Sequence, residues 1–148
     1  MSLTGDFGQL GALGERLAEL ARVPSRTAVA VSAALEDAIQ GEFDAGEDPY
    51  ETPWEDLSEA TLDKGRTPPP LTDTAAMRST LAVAPLAGAG VGVTIDHPAG
   101  VHQTGWSGVS GTGPARPVLP ARGELPEAWI EILERTADAE FRKGLDRR

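Results

Sequence analysis

The sequence predicts an α+β fold: N-terminal helices, a small antiparallel sheet with a hairpin, and a long C-terminal amphipathic helix packed on the sheet. Three patterns carry that expectation. Apolar residues recur at three- and four-residue spacing over 8–43. Val91, Val93 and Ile95 alternate with Gly92, Thr94 and Asp96. Trp129, Leu133, Ala137 and Phe141 then restore a four-residue repeat near the end. A single domain over 1–148 is expected, with a flexible acidic and proline-rich segment at 42–70 and a Gly/Ser-rich loop at 105–113.

The first helix is expected over 8–22, with Leu10, Leu13, Leu17 and Leu20 on one face and Pro24 stopping it. Gly8, Gly11 and Gly14 weaken its start, at roughly 1 kcal/mol each relative to alanine. Ser25 is placed to cap a second helix from about Thr27 to about Phe43, burying Val31, Leu35, Ile39 and Phe43. Between Glu42 and Glu59 stand eight carboxylates and no basic residue, and Pro49 and Pro53 forbid a continuous helix. That segment reads as irregular and exposed, pinned by Tyr50, Trp54 and Leu57, with a short helix from Ser58. Pro68, Pro69 and Pro70 read as a stiff extended linker.

Residues 71–81 reopen helically, with Thr72 or Asp73 as cap and Leu71, Met77 and Leu81 inward. A hairpin follows, turning through 87–90, with Pro85 ending its first strand or placing it at an edge. The last helix starts at Pro126, which suits a first helical turn. Its buried stripe is Trp129, Leu133, Ala137 and Phe141, with Ile130 alongside. Glu127 at its start and Arg142 and Lys143 at its end complement the helix dipole.

Composition narrows the function classes. A net charge of −10 is the wrong sign for gripping nucleic-acid phosphates or an anionic membrane. There is no cysteine, so disulfides, thiolate catalysis and cysteine-based zinc sites are excluded. No basic region followed by an apolar run opens the chain, and no apolar stretch reaches the length of a membrane span, so a soluble, cytosolic product is expected.

The residues that could do chemistry do not assemble into a motif. His97 and His102 are five apart across Pro98 and Gly100, which is no helical or strand spacing for metal ligands. Ser107 and Ser110 lie in a glycine-rich loop but not in a nucleophile elbow, and the same loop lacks the Gly-Lys-Ser/Thr ending of a phosphate loop. Asp44, Asp48 and Glu51 offer oxygen donors, but not in EF-hand order. No enzyme activity, metal or cofactor is expected.

What remains is the strip Gly-Pro-Ala-Arg-Pro-Val-Leu-Pro-Ala-Arg at 113–122. Pro114, Pro117 and Pro120 fix the backbone, so the strip is extended and reads as an edge strand leading into the last helix. Its arginines, Arg116 and Arg122, can also meet a neighbour at small entropic cost, which makes the strip a candidate inter-subunit contact.

Five short motifs, in order, resemble the phage virion morphogenesis or tail-completion family, the Mu-like neck group allied to head–tail joining proteins. They are Trp54, Leu57, Ser58 and Thr61; Leu71, Asp73, Thr74, Met77, Ser79 or Thr80, and Leu81; a hairpin; His102, Gln103 and Gly105; and Pro114, Ala115, Arg116, Pro117 and Leu119, before an amphipathic C-terminal helix. Ala75 takes the place of the family's usual glycine, and Val118 of its usual phenylalanine. The resemblance implies a non-enzymatic virion protein, present in the virion and in the host cytoplasm during assembly. It would form a ring, expected to be hexameric, that meets tail-tube, tail-terminator or head-connector proteins while DNA passes through unbound. Arg116, Pro117, Arg122, His102, Gln103 and Trp54 are then the expected subunit or partner interface. The segment 42–59 would face the lumen or accept Arg116 and Arg122 of a neighbour. Two other classes stand beside it: a small acidic adaptor presenting 65–70 and 114–120 as ligands, and a hydrolase pairing His102 with Ser107.

Overall fold

The structure, a computed structural model, describes residues 14–15, 17–18, 20–71, 75–87, 90–96, 99–109, 111–120 and 124–146. Leu10, Leu13, the caps Thr72 and Asp73, Thr74, the turn residues Gly88 and Ala89, His97, Ser110 and Arg122 lie outside them.

Helical residues at 14–15, 17–18 and 20–21 lead through a turn at Arg22 into α1, Val23–Ala45. Pro24 therefore opens a helix where it was expected to close one. In the first helical turn its missing N–H costs nothing. Ser25 is not the cap; its hydroxyl donates back to the Arg22 carbonyl at 3.1 Å. At the far end Gly46 adopts φ 72° and donates its N–H to the Glu42 carbonyl, ending the helix in a left-handed turn.

The helix α1 is the axis of the fold. It buries Ala28, Val31, Ser32, Leu35, Ile39 and Phe43, and it packs both against the C-terminal helix α4, Glu127–Asp146, and against a hairpin. That hairpin is β1, Ala82–Pro85, paired antiparallel with β2, Val91–Thr94, in the register Val83 to Val93 and Pro85 to Val91. Val83 joins the core, and Val91, Val93 and Ile95 pack on it. Trp129 of α4 reaches into the same buried cluster, which also holds Trp54, Met77, Leu81 and Val118. The α+β architecture is thus the one the sequence predicts.

Several elements differ from expectation. Of the helix expected over 71–81, the described residues form one 3-10 turn, Arg78–Thr80, with Met77 and Leu81 buried as foreseen. The backbone explains this, because Leu71 and Ala75 hold φ of 67° and 52°, where a right-handed helix cannot run. The three prolines are bent, not extended: Pro70 is buried and Pro69 packs where a Gly46 side chain would stand, 3.0 Å away. The strip 114–120 forms no strand. Two elements were not foreseen, the helix α3 at Ala99–Thr104 and a second hairpin, β3 Trp106–Gly108 with β4 Gly111–Gly113. The short helix after Ser58, α2, spans Glu59–Leu62.

The buried face of α4 also departs from the expected stripe. Trp129, Glu140 and Gly144 are buried, whereas Phe141 is 50% exposed and Ile130 39%. At about 100° per residue, Phe141 lies roughly 120° around the helix from Trp129, and Glu140 only roughly 20°. Gly144 lies on the side of α4 turned to α1. A β-carbon there would stand 3.0 Å from Val23 Cγ2 and 3.1 Å from Arg26 Nη2.

Candidate functional site

The proline strip, α3 and the segment after Trp54 meet in one hydrogen-bonded clasp. Three prolines leave 114–120 unable to pair as a strand, yet its carbonyls still need donors. Side chains from elsewhere supply them. Trp54 Nε1 donates to the Pro117 carbonyl at 2.9 Å. Gln103, on α3, donates from Nε2 to the Leu119 carbonyl at 2.5 Å, while its Oε1 accepts from the Val118 and Leu119 N–H groups at 3.0 and 3.1 Å. One amide side chain therefore does the work of a neighbouring strand. It also explains how Val118 comes to be 1% exposed without a sheet around it.

Arg116 completes the clasp from the other direction. Its backbone N–H donates to the His102 carbonyl at 2.7 Å. Its guanidinium donates from Nε to the Glu55 carbonyl at 2.9 Å and from Nη2 to the Asp56 carbonyl at 3.0 Å. The residue is only 8% exposed. Burial lowers its pKa from the ordinary arginine value, partly offset by the charges of Glu55 and Asp56. The acidic segment is the partner expected for this arginine, but it belongs to the same chain and offers carbonyls in place of carboxylates.

Of the expected interface residues, Trp54, His102, Gln103, Arg116 and Pro117 are thus brought together, as internal struts. Arg122 lies outside the described residues.

Carboxylates of the acidic segment are engaged at its start. Glu42 Oε1 accepts from Trp129 Nε1 at 2.9 Å across the α1–α4 interface, while its Oε2 is buried and, among the described residues, unpartnered. Burial pushes its carboxyl from 4.5 up to about 7, against the Trp129 hydrogen bond and with added repulsion from Asp48 and Glu47. Asp44 takes both Arg78 Nη1 and Nη2, at 2.5 and 3.1 Å, and this pairing lowers its pKa. Arg78 also reaches Gln40 and lies 6.0 Å from the Phe43 ring centre. Asp48 Oδ1 accepts from the N–H groups of Tyr50 and Thr52, both at 2.9 Å, closing its own loop.

Beside the clasp opens a groove of about 730 Å³. Leu57, Leu71, Met77 and Trp106 give it apolar lining, Arg66, Arg116 and His102 its basic groups, and Glu55 and Asp56 its acidic ones. His102 lines it, whereas Ser107 stands exposed on the β3–β4 hairpin. The sequence signal for that hairpin was an aromatic followed by alternating small residues, hidden by its glycines. Among the described residues no group of three or more His, Cys, Asp or Glu could hold a metal, and no helix is long and apolar enough to cross a membrane. No protein-family model, curated protein or solved structure matches this chain.

Proposed function

We propose that this is a non-enzymatic virion assembly protein of a tailed phage or prophage-derived particle, completing the tail or joining tail to head as a subunit of a ring. The observation that carries the reading is the clasp. The residues that resemble the tail-completion family, scattered over 54–119, converge on one another through Trp54, Gln103 and Arg116. Residues that hold a small framework together suit a part that is built into a larger particle. The position of the family's usual glycine offers independent support, since Ala75 holds φ 52°, a conformation that favours glycine.

Charge fits the same role. With a net charge of −10 and exposed Glu51, Glu55, Asp56 and Glu59, the acidic segment would repel DNA phosphates and let DNA slide past. We assign it to the lumen of the ring, because Arg116 is already committed within its own chain. The adaptor reading has less behind it: Pro70 is buried at the end of one proline-rich segment, and Arg116 and Val118 are buried within the other. Negative-stain images of particles made with and without the gene test the proposal. Separated heads and tails, or tails with unfinished ends, are expected without it. Normal particles would refute it.

A further inference from the structure

The end of α1 and the start of α4 meet over a carboxyl group. Glu42 stands in the last turn of α1, and α4 faces it with the Trp129 indole, whose Nε1 donates to Glu42 Oε1 at 2.9 Å. Trp129 is itself only 5% exposed. Glu42 Oε2 is buried and, among the described residues, has no hydrogen-bond partner. A neutral carboxyl suits this seam, because an ionised one would lose the water that a charge needs and gain no cation in return.

The surroundings give an anion no relief. Glu47 and Asp48, in the turn that follows α1, add repulsion, and among the described residues no positive charge acts on Glu42. On the α4 side, Glu127 and Glu131 line a cleft with Tyr50 and Glu51 at the start of the helix. The cation bound to this stretch of α1, Arg78, is engaged by Gln40 and Asp44. Both lie roughly 160° around the helix from Glu42. The polar tie on the outer side of this end, from the Tyr50 hydroxyl to the Glu124 carbonyl at 2.8 Å, is exposed to water. Closure of the seam therefore depends on the inner pair.

We propose that Glu42 and Trp129 form a pH-sensitive latch between the two helices. With the carboxyl protonated, the start of α4 lies closed on α1. Ionisation turns the carboxylate to water and frees Trp129 and the first turns of α4 to move away. Burial holds the Glu42 carboxyl at about 7 in the closed form, against 4.5 once it is released. Closure is then fully favoured below about pH 4.5 and is lost as pH rises through about 7. The opening is local to one end of one helix, and the inference stands apart from the virion role.

Hydrogen exchange at the Trp129 indole N–H, measured against a free indole at the same pH, tests the latch. Protection is expected to fall about tenfold or more between pH 5 and pH 8. The Trp54 indole N–H, held by the Pro117 carbonyl in the clasp, is expected to change little. In Glu42→Gln, which keeps an acceptor for Trp129 without the charge, the fall is expected to disappear. Equal protection of Trp129 at the two pH values would overturn the proposal, as would an indole that exchanges like the free one at both. A matching fall at Trp54 would overturn it too, since the whole fold would then be opening. So would a fall that persists in Glu42→Gln. The comparison of the two indoles in the unaltered chain decides the matter even where the variant does not fold.

Discussion

Single side chains here answer to how the chain buries polar groups. Glu42 is the clearest case. Its carboxyl titrates at about 7 in the fold against 4.5 in an unfolded chain, so its contribution is fully present below about pH 4.5 and is lost as pH rises through about 7. The full shift corresponds to on the order of 3 kcal/mol, and partial exposure of the group reduces this to about 1–2 kcal/mol. Glu42→Gln keeps an acceptor for Trp129, so it is predicted to raise the urea midpoint at pH 8 and leave it nearly unchanged at pH 4.5. Equal midpoints at pH 8 would contradict this. Ala75→Gly is predicted to stabilise the chain by about 0.5–1 kcal/mol by relieving the positive φ. Thermal unfolding checks it. In the clasp, Gln103→Leu removes a group that makes three backbone hydrogen bonds and is predicted to cost about 1–3 kcal/mol. Arg116→Lys, which cannot span two carbonyls with a fixed fork, should cost about 1–2 kcal/mol. Denaturant titration would reveal either loss; an unchanged midpoint would mean that solvent already serves these carbonyls.

At the level of elements, the same spacing gave a sound reading in one helix and a misleading one in another. Val31, Leu35, Ile39 and Phe43 drift around α1 as far as Trp129 to Phe141 drift around α4. All four remain buried in α1 because α4 covers one side of it and the β1–β2 hairpin another. Among the described residues α4 packs chiefly on α1, so a stripe that drifts leaves that interface, as Phe141 does. Phe141→Gln is therefore predicted to change stability by less than about 0.5 kcal/mol, while Trp129→Ala costs about 3–5 kcal/mol. Comparable losses would place Phe141 in the core after all. The sheet was legible because Val91, Val93 and Ile95 alternate cleanly. The clasp was not, since it depends on Gln103 substituting for a strand, and nothing in local spacing announces a contact between 103 and 118–119. For Arg116 the acidic partner was legible, but whether it lay in the same chain or the next was a question of tertiary geometry.

For the molecule as a whole, the parts divide by charge and burial. The core and clasp hold the frame, the acidic segment 42–59 carries eight carboxylates, and the uncharged β3–β4 hairpin lines a groove with Glu55, Asp56 and Arg116. The proposed ring subunit around passing DNA would need a stable frame and an acidic segment that does not bind phosphate. Charge reversal at Arg116 would damage the frame before it informed on assembly, so surface changes are the suitable probes of contact. The measurement that bears most directly on the virion role is electron microscopy of particles produced with the gene deleted and then restored in trans. Unjoined heads and unfinished tails are predicted on deletion, and intact particles on restoration. Intact, infectious particles in the deletion strain would contradict that role.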